Sequence, residues 1–136
     1  MIRFYVGAPE ASWLATSPVS LFVSHRRLGR TKALPRALVP WGLDSGGFTE
    51  ISTHGRWLTS AVDYAAAADR YRREVGQLDI AAIQDWMCEP WITRKTGLSV
   101  REHQIRTVAS WLTLRDLAPE VPWMPVLQGW TMGDYL

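Results

Sequence analysis

The amino-acid sequence predicts an α/β protein whose strands form a parallel (β/α) barrel of the TIM type, with about five barrel strands in these 136 residues. Short apolar strands alternate with amphipathic helices, which is the pattern of parallel βαβ units. A polar residue also follows each of the last three predicted strands: 41 positions separate Asp44 from Asp85, and 43 separate Asp85 from Gln128. Such a cadence is expected when each strand–helix unit returns the chain to the same edge of a parallel sheet.

The predicted strands are short apolar runs bounded by turn residues. The run at 19–23 is almost wholly apolar, which is typical of a strand buried on both faces. The first run is stopped by Gly7-Ala8-Pro9, and the third ends abruptly at Asp44. The five predicted strands lie at 2–6, 19–23, 38–43, 80–83 and 124–127.

Two helices are predicted from their capping residues and apolar spacing. Ser60, with Asp63 three positions later, opens the first helix, and Gly76 is placed to end it. Ser99 opens the second, with Glu102 at the capping-box position. The apolar side chains that follow at helical spacing predict its buried face: Ile105, Val108, Ala109 and Leu112.

The remaining segments are predicted as turns and loops. A brief helical turn is expected at 11–15, and the opening turn of another helix at 131–136. The segment after Asp44 is predicted to be a loop through Gly55. No repeat or low-complexity linker divides the sequence, so residues 1–136 are predicted to form a single N-terminal part of a barrel domain.

Composition narrows the class of protein. Hydrophobic residues make up 47% of a chain long enough for one packed core, which argues against disorder. The single cysteine, Cys88, excludes an internal disulfide and a multi-cysteine zinc site within these residues. With no signal peptide and no apolar run near the roughly 20 residues of a membrane-spanning helix, a cytoplasmic location without membrane association is expected.

Basic residues cluster after the second predicted strand. The net charge is only +2, yet Arg26, Arg27, Arg30 and Lys32 lie close together. They are interpreted either as a solvated loop or as contacts to the phosphate backbone of a nucleic acid.

The segment Asp44-Ser45-Gly46-Gly47 has two interpretations. Alone, it is typical of a turn in which Asp44 bonds its own backbone and the glycines supply positive φ. However, Asp85 and Gln128 follow the next two predicted strands in the same way. This repeated placement favours three polar groups on one edge of the sheet, where the active sites of barrels are built. Two carboxylates and an amide suit a planar ligand with N–H donors and an acceptor, such as a guanine-like base. A carboxylate pair could instead act as general acid and base on a sugar, or bind a divalent metal ion.

These motifs also carry a family resemblance. Asp44-Ser45-Gly46-Gly47-Phe48, then Asp85 with Cys88 and Pro90 nearby, then Gln128-Gly129, resemble the ordered motifs of queuine tRNA-ribosyltransferases, the tRNA-guanine transglycosylases. The resemblance is closer to their DNA-modifying relatives, the deazapurine DNA modification proteins often found in phages and bacterial islands. It runs from the first strands to the end of the chain. The Asp-Ser-Gly-Gly-aromatic motif is its most specific part.

The resemblance implies a (β/α)8 barrel that exchanges a guanine in nucleic acid for a 7-deazaguanine, through an aspartate nucleophile and a covalent glycosyl–enzyme intermediate. Asp85 and Gln128 would hydrogen-bond the purine edge, and Asp44 would be a binding group or proton acceptor. Cys88 would neighbour the pocket, and Gly129 would leave room for the base. The implied substrate-binding residues are Asp44, Ser45, Gly46, Asp85, Cys88, Gln128 and Gly129.

The sequence departs from that family in two ways. The loop at 85–90 is one residue longer than the family's Asp-Glu-Cys-Thr-Pro-like loop, which loosens the match at Cys88. The implied nucleophile and the zinc element of the tRNA enzymes have no counterpart in the sequence, so no cofactor or metal is expected. The chain alone is therefore not expected to complete the exchange. An open part of a barrel exposes strand edges and apolar helix faces, so we expect a complementary C-terminal polypeptide or self-association.

DNA is favoured over tRNA as the target, in the host cytoplasm if the gene belongs to a phage. Two other functions stay open at the level of sequence. One is a non-catalytic nucleic-acid-binding module that uses the basic cluster. The other is a barrel glycosidase or hydrolase that uses the Asp44/Asp85 pair.

Overall fold

A computed structural model describes residues 2–136, which form a mixed α/β structure around one sheet. The five strands are all parallel and lie in sequence order, so every connection crosses to the next strand along. The strands are β1 (Val6–Ala8), β2 (Leu21–Ser24), β3 (Trp41–Asp44), β4 (Leu78–Ala82) and β5 (Trp123–Met124). The helices are α1 (His25–Leu28), α2 (Gly47–His54), α3 (Ala61–Glu74), α4 (Pro90–Thr96) and α5 (Val100–Leu117), with 3₁₀ turns at Ala11–Ala15 and Met132–Tyr135.

The predicted α/β class and the five parallel strands are confirmed, whereas closure into a barrel stays a prediction. The sequence-ordered sheet brings the carboxyl ends of all five strands to one edge, here called the carboxyl edge. The register fixes neighbours on it: Ser24 at the end of β2 lies opposite Asp44 at the end of β3.

The main core lies between the sheet and helices α3 and α5. Trp41, Leu43 and Val23 project from the strands and are fully buried, as is Tyr64 of α3. The indole of Trp41 also donates a hydrogen bond of 2.7 Å to the carbonyl of Gly76, which satisfies its one polar group. Fully burying one large apolar side chain stabilises the fold by about 1.5–3 kcal/mol, so this layer holds the sheet in place.

The first strand lies later than predicted. Residues 2–5 precede β1, and the side chains of Ile2 and Phe4 are each 81% exposed. This segment is held instead by side chains: Arg3 and Tyr5 both donate to the carboxylate of Asp79 in β4. Because β2 and β3 lie between β1 and β4, these bonds reach across two strands, which favours a sheet that curves at the amino ends of its strands.

Three short helices lie where the sequence predicts loops. The basic segment contains α1, where the Ser24 hydroxyl accepts from the Arg26 amide and Leu28 is fully buried. The segment after Asp44 contains α2, whose N-cap is Gly46 at φ +77°. Pro90 at the first turn and a left-handed glycine cap bound α4. Each helix is too short for an apolar periodicity to show.

Helix α5 begins as predicted but buries a different face. The predicted apolar stripe of Ile105, Val108, Ala109 and Leu112 is exposed, with Ile105 at 56% and Val108 at 57%. The buried side instead carries His103, Thr107 and Leu114. The two polar residues are buried because they bond the chain after β4. His103 Nδ1 donates to the Met87 carbonyl at 2.6 Å, and Thr107 Oγ1 accepts from the Trp86 amide at 2.9 Å.

Strand β3 begins at Trp41, later than the predicted 38, and β5 covers only Trp123–Met124 of the region predicted at 124–127. The remaining helical predictions agree with the structure. Helix α3 starts with the Ser60 hydroxyl accepting from the Asp63 amide and ends just before Gly76, which has positive φ. The turns at both predicted positions are 3₁₀. Every helix in residues 2–136 is too short or too polar to span a lipid bilayer.

The Ser99 capping box yields a stability prediction. Its hydroxyl accepts from the Glu102 amide, and the Glu102 carboxylate accepts from the Ser99 amide at 2.7 Å. Ser99→Ala is expected to lower the free energy of unfolding by about 1 kcal/mol, because an orphan N–H of α5 loses its partner. Urea denaturation measures this, with Ser12→Ala on the exposed surface as control. Equal stabilities of the two variants would contradict it.

Candidate functional site

The three polar residues predicted to share one edge do so. Asp44 is the last residue of β3, and Asp85 and Gln128 lie just beyond the ends of β4 and β5. Because these strands are neighbours, the three side chains follow one another along the carboxyl edge. Asp85 and Gln128 are in direct contact: Gln128 Nε2 donates a hydrogen bond to Asp85 Oδ2.

Asp85 sits in a largely enclosed environment. Burial raises the pKa of its carboxyl above the ordinary value, the bond from Gln128 opposes that rise, and the charges of Asp44 and Glu89 add to it. Its backbone carbonyl accepts a 3.2 Å bond from the indole of Trp57. The loop after β4 is therefore anchored through its backbone, with the carboxylate turned to Gln128.

The segment that carries Gln128 is fastened to α5. Gln104 Nε2 donates to the backbone carbonyls of Gln128, at 3.0 Å, and Asp134, at 2.7 Å. The Asp134 carboxylate in turn accepts from the amides of Trp130 and Thr131. Residues 128–134 thus form one turn that is held by hydrogen bonds from Gln104 and to Asp134. Gln104 fixes the backbone from which the Gln128 side chain reaches Asp85.

Gly129 has a local packing reason to be glycine. A Cβ at this position would lie 2.8 Å from the Cβ of Asp134 and 2.9 Å from the ring of Tyr135. The Tyr135 hydroxyl donates to the Gly129 carbonyl at 2.9 Å. The space beside Gly129 is therefore filled by its own turn, and room for a base there stays a prediction.

Asp44 opens onto a second part of the edge. Ser45 and Gly46 are buried behind it, and a Cβ on Gly46 would lie 2.8 Å from Cγ of Arg26. A cavity of about 280 Å³ lies there between α1 and the start of α2. Its lining combines the arginines of the basic cluster with edge residues: Ser24, Arg26, Arg27, Arg30, Asp44, Gly46, Phe48 and Thr49.

Lys32 does not line this cavity. Its side chain is exposed, and its backbone carbonyl accepts from the guanidinium of Arg70 at 3.2 Å. The structure therefore brings three of the four predicted basic residues to Asp44 and leaves the fourth on the outer surface.

Cys88 lies below the edge. Its thiol is 1% exposed and contacts the carbonyls of Trp86, at 3.8 Å, and Val100, at 4.0 Å. Burial, with the charges of Asp134, Glu89 and Asp85, raises the pKa of Cys88 to about 11, so the thiol is protonated at neutral pH. Its geometry is that of a packed side chain next to the site.

Beneath the edge, Tyr64 ties α3 to β4. Its hydroxyl donates to the Ala82 carbonyl at 2.7 Å, and burial raises the pKa of Tyr64 well above its ordinary value, with the charge of Asp44 acting in the same direction. His25 packs edge-on against Tyr64 and lies 2.9 Å from the Tyr71 hydroxyl; burial lowers the pKa of His25. These largely buried, hydrogen-bonded side chains pack beneath Asp44 and Asp85.

Several residues of this site could not be identified from the sequence. Ser24 and Thr49 line the cavity, Gln104 braces the Gln128 segment, and Tyr64 supports the edge from below. Tyr64 lies within the helix predicted between Ser60 and Gly76, but no sequence signal links Gln104 to Gln128. Among residues 2–136, no group of three or more His, Cys, Asp or Glu side chains is arranged to hold a metal ion.

The fold and the site together define an α/β protein with a five-stranded parallel sheet and a polar site along its carboxyl edge. The model of the family DpdA, described as "DeoxyPurine in DNA protein A", matches residues 1–136, and the chain belongs to this family. The match agrees with the deazapurine DNA modification proteins named from the sequence motifs and associates the chain with DNA modification. The link to the tRNA enzymes stays a prediction. No curated protein and no solved structure matches the chain.

The raised pKa of Asp85 predicts a pH-dependent cost of folding. The native state holds this proton more tightly than the unfolded chain, so its contribution to stability falls as pH rises from the ordinary pKa of 3.8 through the raised native value. Asp85→Asn keeps an acceptor for Gln128 and cannot ionise. Its free energy of unfolding relative to wild type is expected to increase with pH across that window.

Urea denaturation of both proteins from about pH 3.5 to 7 measures this difference. Asp116→Asn, at an exposed position of α5, is the control and should show no such trend. A difference that is flat or declines with pH would contradict the assignment of Asp85.

Proposed function

We propose that this chain is the base-recognising part of a transglycosylase that exchanges guanine and 7-deazaguanine in DNA. The observation that carries the proposal is the contact between Gln128 and the largely buried carboxylate of Asp85. The family match supports DNA as the target, and the ordered sequence motifs support base exchange as the reaction. The implied nucleophile is not assigned to any residue described above, so the proposal concerns recognition.

The proposed contacts follow from the donor and acceptor pattern of guanine. Its edge offers N–H donors at N1 and N2 and acceptors at O6 and N7. A carboxylate only accepts, whereas an amide both donates and accepts. The Gln128–Asp85 bond uses one of the two Nε2 hydrogens, and within residues 2–136 the side chain forms no other hydrogen bond. Gln128 can therefore bind an acceptor of the base while Asp85 takes an N–H.

Burial of Asp85 gives the contact its selectivity. A site built around a carboxylate rejects a ligand without matching N–H groups, because the acceptor would be left without a partner. The base of a DNA strand reaches such a pocket only when it leaves the stack. Asp44 then lies at the next strand end, where it is proposed to bind the same nucleotide or accept a proton.

The partial (β/α) barrel belongs to the same proposal. It is supported by the sequence order of the strands and by the bonds from Arg3 and Tyr5 to Asp79, which favour a curved sheet. On the face of the sheet opposite to Trp41 and Leu43, the ring of Phe22 lies so near Gly42 that a Cβ on Gly42 would be 2.6 Å from it. Such close filling by side chains is expected in the interior of a barrel.

A glycosidase using Asp44 and Asp85 has less support. Asp85 Oδ2 already accepts a hydrogen bond from Gln128 Nε2, whereas a general acid must present its carboxyl to the glycosidic oxygen. The three arginines beside Asp44 also favour a polyanion over a neutral sugar.

Removing the carboxylate is expected to abolish base recognition. Asp85→Asn should weaken binding of guanine or 7-deazaguanine at least about tenfold, the size of a missing hydrogen bond to a charged group. Isothermal titration calorimetry of the folded chain measures the dissociation constant. Asp116→Asn carries the same change of charge at an exposed position and should bind as wild type does. Unaltered affinity in Asp85→Asn would refute the proposal.

We also propose that the chain associates with another polypeptide, either a second copy or a complementary chain. Support comes from the exposed apolar stripe on α5 and from the exposed side chains of Leu127, Trp130 and Met132 nearby in sequence to β5. Exposed apolar patches of this kind mark interaction surfaces.

Val108→Lys with Leu112→Lys is expected to reduce that association, because charges replace the centre of the stripe. Light scattering should give wild type a mass above the 15.4 kDa of one chain, and the double variant a mass closer to it. Val62→Lys, on the exposed side of α3, is the matched control. A wild-type chain that stays monomeric and unfolds cooperatively would rule out self-association.

A further inference from the structure

We propose that the cavity beside Asp44 is a subsite for a phosphodiester of the DNA strand whose base is read at Asp85 and Gln128. The inference rests on the proposed function for its ligand. It adds a second binding site with its own residues: Arg26, Arg27 and Arg30 on and after α1, with Ser24 and Thr49.

Charge is the first argument. Arg26, Arg27 and Arg30 line one cavity, and none of them has a carboxylate within ion-pair distance in residues 2–136. By contrast, Arg70, Arg72 and Arg73 of α3 are each paired with an acid of their own helix. Of the described residues, Asp44 is the one carboxylate that lines the cavity, and it forms no ion pair with the arginines. Three positive charges against one negative charge leave the cavity with a net positive charge, which attracts an anion.

The chemistry of the lining favours a phosphate group. Arginine presents N–H donors in a planar fork that matches phosphate oxygens. The Ser24 oxygen accepts from the Arg26 amide at 3.3 Å, and within residues 2–136 its hydroxyl hydrogen has no acceptor. It is therefore free to donate to a phosphate oxygen. A volume of about 280 Å³ accommodates a phosphate together with part of its sugar.

The local backbone holds this cluster in place. Ser24 caps α1 and Leu28 anchors it in the core, so Arg26 and Arg27 project from a short ordered helix and Arg30 follows its end. The left-handed glycine at 46 brings the start of α2 against Arg26, where a Cβ would meet Cγ at 2.8 Å. The basic cluster therefore lies on a helix and the residues after it, with its three arginine side chains at exposed positions.

Position connects the cavity to the base site. Ser24 is the register partner of Asp44, and Asp44 both lines the cavity and precedes Asp85 along the carboxyl edge. Neighbouring strands are about 4.8 Å apart, so the edge from β2 to β5 spans about 14 Å. One strand of DNA laid along this edge can place a phosphate among the arginines and its base at Asp85 and Gln128.

The test compares a base with and without its backbone. The probes are 7-deazaguanine and a short single-stranded oligothymidine with one central deoxyguanosine, titrated into the full chain at several salt concentrations. Arg27→Gln with Arg30→Gln is expected to weaken oligonucleotide binding about fivefold for each arginine. The slope of log affinity against log salt should fall by about 0.7 for each phosphate that is no longer neutralised. Affinity for 7-deazaguanine should not change.

Three control variants make the outcome decisive. Arg73→Gln removes one arginine from the far end of α3, where Asp69 keeps Arg72 as partner, and should leave both probes unaffected. Arg27→Lys with Arg30→Lys keeps both positive charges and should retain most of the salt slope. If it does, the weaker binding of the glutamine variant comes from the loss of charge and not from a disturbed fold. Asp85→Asn should no longer bind 7-deazaguanine while keeping salt-dependent oligonucleotide binding.

The two proposals fail in different ways. If the double glutamine variant binds the oligonucleotide with wild-type affinity and salt slope, the phosphodiester subsite is wrong. If it no longer binds 7-deazaguanine either, the cavity is not a separate subsite, and this inference is also wrong. If Asp85→Asn still binds 7-deazaguanine while the glutamine variant behaves as expected, the base-recognition proposal is wrong.

Discussion

A largely buried carboxylate needs a donor, and at the centre of this molecule Gln128 supplies one to Asp85. That bond joins the loops that follow the neighbouring strands β4 and β5. It depends on α5 twice. His103 and Thr107 hold the loop that contains Asp85, and Gln104 holds the segment that contains Gln128. One helix therefore sets the separation of the two groups, because it bonds the backbone on both sides of the contact.

The same requirement explains why α5 buries polar residues and exposes apolar ones. Buried polar groups must be hydrogen-bonded, and the carbonyl of Met87 and the amide of Trp86 find their partners on this helix. The capping residues Ser99 and Glu102 identified the start of the helix, and hydrophobic periodicity identified the helix itself, since both depend on local sequence. The periodicity misassigned the face, because that depends on the irregular chain after β4.

Local signals accounted for much of the architecture, and tertiary contacts for the rest. The capping residues Ser60 and Ser99 and the cadence of Asp44, Asp85 and Gln128 were sufficient for the longer helices and the order of the site. The short helices α1 and α2 were not predicted, because four to eight residues show no clear apolar period and a pair of glycines resembles a turn. The role of Gln104 and the position of Lys32 outside the cavity follow only from the folded chain.

Tryptophan side chains surround the Asp85 loop in a way that has a practical consequence. The indole of Trp57 bonds the Asp85 carbonyl, and Trp86 lies edge-on to His103 with the Arg106 guanidinium 4.8 Å above its ring. Indole emission is sensitive to neighbouring charges and to hydrogen bonds at its nitrogen. Two of the eight tryptophans, Trp57 and Trp86, are therefore intrinsic fluorophores whose emission responds to events at this loop without an attached dye.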